Sequence, residues 1–170
     1  RHISMRMEFA ASLQSEGAFS LADKYYAQVL DIEEGNCDAM FGRILCGCGA
    51  ESEWNLSEAV DKLEDFNAFE ALLRYCPDED TRCKYLNTVL SAINERSKRV
   101  TEKATIARLA GVFDGIVKYY PEERNKELLS YTMQFAANAK NSAAFETAEK
   151  YYAVALSIDH LCHCLLYTSD

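Results

Sequence analysis

Apolar residues recur at spacings of three and four along most of this chain, the period of one face of a helix. Phe19, Ala22, Tyr25, Tyr26, Val29 and Leu30 show it within a single run. Read end to end, the pattern predicts helices over about 3–15, 18–32, 37–47, 57–75, 78–97, 102–119, 122–140 and 143–158, with no strand. Gly17 falls between the first two runs, where a short turn must sit. The longest break is GCGAESEWN (47–55), and Ser57 is the expected cap of the helix that follows.

Two of these runs are nearly the same sequence. AFSLADKYYAQVLDI (18–32) returns as AFETAEKYYAVALSI (144–158), 126 positions later. The match reaches back to MEFAA (7–11) over MQFAA (133–137), and thirteen of the 26 positions in 7–32 and 133–158 are identical. This is an internal repeat, and repeats of helical segments usually mean stacked units that bury their apolar faces on one another. Ala10 and Ala22 allow two backbones to approach, while Phe9, Tyr26 and Leu30 fill the space around them. Each copy predicts an antiparallel helix pair.

At these residues the chain resembles the tetratricopeptide repeat family, whose unit of about 34 residues is a helix–turn–helix. The family's small residue in the first helix corresponds to Ala10 and Ala136. The small residue opening its second helix corresponds to Ala22 and Ala148, its large aromatic to Tyr26 and Tyr152, and its last small position to Val29 and Ala155. Arg6 or Thr132 stands where the family has its first Trp, and Glu34 or His160 where it has its closing Pro. NCDAMFGRILCGCG (36–49) reads as the first helix of a further, imperfect unit. The resemblance implies an all-α fold, a tetratricopeptide-like α-solenoid of about seven to eight helices in one domain over residues 1–163. Its clear units are 3–36 and 130–160, with divergent helical pairs over 37–129.

The middle has an echo of its own. FEALLRYCPDE (69–79) matches FDGIVKYYPEE (113–123) in kind, 44 residues apart. Each segment ends a helix at Pro and restarts one with acids in its first turn, where the helix dipole favours them.

Composition agrees with helices. Only 7 Gly and 2 Pro are present in 170 residues, too few for the tight turns of a sheet protein. The net charge of −9 disfavours nucleic acid and anionic membranes as partners. Ten acids and two bases fall in 51–80, then seven bases and two acids in 81–108. The simplest reading is two solvated helices whose opposite charges lie side by side. No apolar run is long enough to span a membrane and no signal peptide is visible, although position 1 is not Met. RHIS (1–4) reads as a cut edge or debris, and CLLYTSD (164–170) as the translated remnant of a library adapter, so residues after about 163 are expected to be non-native. Seven cysteines without the spacing of a disulfide scaffold point to a reducing cytoplasm.

Candidate chemistry is sparse. Cys46 and Cys48, with Cys37 nearby, form one C-x-C without the second pair a structural zinc site needs, and Cys46 falls on a buried face. HLCHC (160–164) offers His160, Cys162, His163 and Cys164, but runs into the suspect tail. There is no nucleophile elbow and no Gly-rich phosphate loop. The doublets at 25–26, 119–120 and 151–152 should each give one core tyrosine and one half-exposed one.

In stacked helix pairs the first helix of each unit lines the concave surface. By the family's pattern Met7, Ala11 and Gln14 face that groove, joined by Phe41 and Leu45, with Met133, Ala137 and Lys140 in the second copy. Such a groove suits the apolar face of a peptide or helix. It cannot hold the C-terminal carboxylate that some family members grip with Lys, Asn and Arg. The competing arrangement has neighbouring helices cover this surface and make it core. The expected function is a protein–protein interaction scaffold without catalysis, cofactor or metal, binding no nucleic acid and, in this segment, no membrane. The alternative is a structural or regulatory repeat segment of a larger bacterial protein whose activity lies in another domain.

Overall fold

The computed structural model describes the backbone of residues 2–168 and the side chains of residues 2–161. Every regular element among the described residues is helical. They are α1 (His2–Ser15), α2 (Phe19–Ile32), α3 (Cys37–Cys48), the short α4 (Leu56–Ala59), α5 (Asn67–Tyr75), α6 (Glu79–Arg99), α7 (Lys103–Val117), α8 (Asn125–Asn141) and α9 (Phe145–Thr168). The chain divides into two compact units, Arg1–Val89 and Leu90–Asp170, and the division falls inside α6. No helix is long and apolar enough to cross a membrane among the described residues.

Helix ends follow local chemistry. The Asn36 side chain accepts from the Ala39 N–H at 2.9 Å and caps α3, as Asp78 accepts from Thr81 N–H at 2.7 Å to start α6. Pro77 and Pro121 separate helices as expected, and the residue before Pro77, Cys76, is extended (ψ 132°). Three helices end alike. Gly17 and Gly49 take φ +82° and +79°, and the following N–H groups bond back to Leu13 O and Leu45 O, both at 2.9 Å. Ala143 makes the third such end, at φ +59°, with Ala144 N–H on Ala139 O at 2.9 Å. This is the left-handed cap that closes a helix on its own last carbonyls.

The N-terminal unit is built around Ala10, Ala22, Tyr26, Val29, Ala39 and Cys46, where α1, α2 and α3 meet. The Tyr26 ring lies on Gly42, where an added Cβ would stand 2.5 Å from the ring. Its hydroxyl donates to Gln14 Oε1 at 2.7 Å, and Gln14 Nε2 donates to Ala50 O at 2.9 Å, joining α1 and α2 to the turn that follows α3. In the C-terminal unit the stacked Phe113 and Phe135 rings and Tyr151 form the centre, each 1% exposed or less. Asn138 donates to Ser97 Oγ at 2.9 Å and ties α8 to the end of α6.

Several sequence expectations are corrected. The helix expected over 57–75 is broken: the chain leaves helical geometry at Leu63 (ψ 116°) and re-enters at Asn67. Asp65 accounts for the break, because its Oδ1 accepts from the N–H groups of Asn67 (3.1 Å) and Ala68 (3.4 Å) and starts a new helix. Ser57 lies inside α4, after its first residue, rather than ahead of the helix. Glu122–Arg124 is a single tight turn before α8, and α9 runs past residue 158 to Thr168. Phe9 does not fill the core; it is 48% exposed. Each tyrosine doublet does give one buried and one half-buried ring, but Tyr26 is the buried one in the first copy and Tyr151, not Tyr152, in the second.

Candidate functional site

The break at 63–66 has a spatial consequence. With the chain displaced there, a cleft of about 770 Å³ opens between α2 and α3 on one side and residues 62–71 on the other. Phe19, Leu30, Met40 and Ile44 supply its apolar lining, with Ala68 and Ala71 opposite. Its rim is ionic. Arg43 binds Asp23 through two hydrogen bonds, at 2.7 and 3.2 Å, and Lys62, Glu64 and Asp65 stand across from them. The hydrogen bond to Asp23 holds the Arg43 guanidinium above its ordinary pKa.

Cys46 and Cys48 also line the cleft. Burial, with the Asp23 and Cys48 charges behind it, pushes the Cys46 thiol up to about 11. Burial also raises Cys48, whose Sγ lies 3.3 Å from the Leu45 carbonyl as a donor. Burial thus disfavours the thiolate, the nucleophilic form, at both cysteines. Cys37 lies beside Cys76 instead, and burial followed by that neighbour raises Cys76 to about 12. No group of three or more His, Cys, Asp and Glu converges among the described residues. The side chains of Cys162, His163 and Cys164, and of the tail they run into, lie outside the described residues. What the cleft can offer is shape, an apolar floor and fixed charges of both signs.

The groove expected from the repeat pattern is placed differently. Met7 is half-buried against the α1–α3 core, and Ala11 is exposed. Gln14, Phe41 and Leu45 are not open surface: they are 4%, 5% and 5% exposed. Gln14 is occupied by Tyr26 and Ala50. Phe41 lies against Tyr85 of α6, centroids 4.9 Å apart, and that hydroxyl donates to Asp38 at 2.7 Å. Later helices of the same unit thus cover this face of α3. In the second copy Met133 and Lys140 are exposed and Ala137 is half-buried.

Met40, Arg43, Lys62 and the 63–66 break were missed by sequence reasoning. One signal was present: Asp65 stands before FNAFEALL, in the cap position of an amphipathic run. No family model matches the chain, and no curated protein or solved structure resembles it at a significant level.

Proposed function

We propose that this chain is a tetratricopeptide-like scaffold of stacked antiparallel helix pairs that holds a peptide or helix of a partner protein and performs no catalysis. The observation that carries the reading is the cleft beside α3, with its apolar floor under an ionic rim. That combination recognises an amphipathic segment: apolar side chains gain from burial, while rim charges fix orientation and exclude wrong partners. Three further features support it. A repeated helix-turn-helix is a common platform for binding, burial disfavours the thiolate at both cysteines of the cleft, and a net charge of −9 disfavours nucleic acid.

Affinity capture with the chain as bait, followed by titration of the purified partner, tests this. Met40→Glu and Arg43→Glu should each weaken binding about tenfold or more, with the melting temperature shifted by less than about 3 °C. A partner that binds both variants as tightly as the parent chain rules the cleft out.

A further inference from the structure

Five of the seven cysteines lie among the described side chains, and all five are free thiols. Cys46 and Cys48 belong to the last turn of α3, and Cys83 is 1% exposed inside α6. Cys37 and Cys76 stand apart from these because they meet each other. Two stretches of the N-terminal unit come together at that point. The Tyr75 hydroxyl donates to Glu34 at 2.8 Å, and a Cβ on Gly35 would stand 3.1 Å from the Tyr75 ring. On the far side the Tyr85 hydroxyl donates to Asp38 at 2.7 Å. Residues 34–38 are thus held between Tyr75 and Tyr85, and Cys76 follows directly on Tyr75.

The Cys37 thiol donates to the Gly35 carbonyl at 3.6 Å, and its sulfur shares a hydrogen bond with the Cys76 thiol. Local chemistry fixes the backbone on both sides. Cys37 is the first residue of α3 behind the Asn36 cap, and Cys76 is extended ahead of Pro77. Two sulfurs in hydrogen-bond contact on held backbone are close to what a disulfide bridges. The pair also stands where the walls of the cleft meet. Cys37 opens α3, which carries Met40 and Ile44, and Cys76 follows α5, which carries Ala68 and Ala71.

The geometry points to Cys37 and Cys76 as a redox-active dithiol that a hydroperoxide converts to a disulfide, stapling α3 to the end of α5. Cys37 is half-buried and reacts first, whereas Cys76 is 7% exposed. The Cys37 sulfur takes the terminal oxygen of the hydroperoxide, the O–O bond breaks, and the Cys37 proton leaves with the alcohol. Cys37 is then a sulfenic acid. The Cys76 sulfur attacks the Cys37 sulfur, the S–O bond breaks, and hydroxide departs as water with the Cys76 proton. The two thiols together give up one electron pair, and the hydroperoxide is reduced to alcohol and water. Burial first, and the Cys37 charge second, oppose ionisation of Cys76. The neutral sulfenic acid removes the second of these, so the first oxidation prepares the attacking group. A dithiol reductant reverses the bond by exchange.

The test treats the intact, reduced chain with a small excess of tert-butyl hydroperoxide and digests it with trypsin in the absence of reductant. Peptides 25–43 and 75–82 each contain one cysteine, Cys37 and Cys76. Mass spectrometry should find these two peptides linked, and separate again after dithiothreitol. In Cys76→Ser the reaction should stop at a Cys37 sulfenic acid that dimedone traps, and in Cys37→Ser Cys76 should stay a thiol. Hydrogen exchange of the amides in Asn67–Tyr75 should slow about tenfold or more in the oxidised chain, because α5 can then no longer open away from α3. Cys37 joined to any other cysteine, or to a second chain, overturns the pairing. So does a Cys37 that oxidises onward to the sulfinic acid without forming a link. A link that leaves exchange in α5 unchanged overturns the staple. The reading of the cleft as a binding site stands or falls separately, on Met40→Glu and Arg43→Glu.

Discussion

Gly17 and Ala143 occupy the same place in the repeat and show what one residue decides. Both hold φ in the left-handed region and close the same pair of backbone hydrogen bonds. A side chain in that region meets its own carbonyl, whereas Gly does not. Nothing lies within 4 Å of a Cβ built on Gly17, so conformation alone sets the penalty there. Gly17→Ala should lower stability by about 1 kcal/mol, and Ala143→Gly should raise it by about 0.5–1 kcal/mol. Denaturant midpoints at constant slope measure both. Equal stability for parent and variants would mean that the turn rearranges. Gly17 could be read as a turn from sequence because Gly signals one; Ala143 carries no such signal and was legible only through its duplicate.

Between elements, the packing of α2 on α3 depends on one missing methyl group. Gly42 lets the Tyr26 ring lie against the α3 backbone and reach Gln14 beyond it. In Gly42→Ala the new carbon would stand 2.5 Å from the ring, so the ring or the helix must move. Overpacking of this kind costs about 1–3 kcal/mol. The variant should unfold at a correspondingly lower denaturant concentration, and near-wild-type stability would show that Tyr26 has room the structure does not reveal. The 3.6-residue period placed Tyr26 on the inner face of α2, yet gave no hint that Gly42 would receive it. A glycine inside a helical pattern reads only as a weak point until its neighbour is known. The break before α5 is the same lesson in reverse: periodicity runs through residues 57–75, and a single carboxylate capping two N–H groups ends it.

Over the whole chain, buried phenols lie in both compact units. Burial first, then Cys46 and Asp38, pushes Tyr26 up to about 12. Burial and hydrogen bonds to Asp38 and Asp114 raise Tyr85 and Tyr151 as well. A folded pKa above the ordinary value of 10 means that the fold disfavours the phenolate. Their contribution is therefore complete below pH 10 and is lost as pH rises through the folded values, for Tyr26 through about 12. Ultraviolet phenolate titration should show most of the 10 tyrosines ionising first and a late group coinciding with unfolding. A single transition near pH 10, with the helical signal intact, would contradict it. Sequence by itself determined the all-helical class, the turn at Gly17, the duplication and one buried tyrosine in each doublet, because these follow from local periodicity and local backbone chemistry. Tertiary structure alone decided that Tyr151 rather than Tyr152 is core in the second copy, that Gln14, Phe41 and Leu45 are covered, and that a cleft opens beside α3. Identical residues in the two copies meet different neighbours: α3 covers one side of the first pair and α7 the other side of the second. Burial is a property of what packs against a residue, and a repeat specifies the residue without its neighbour.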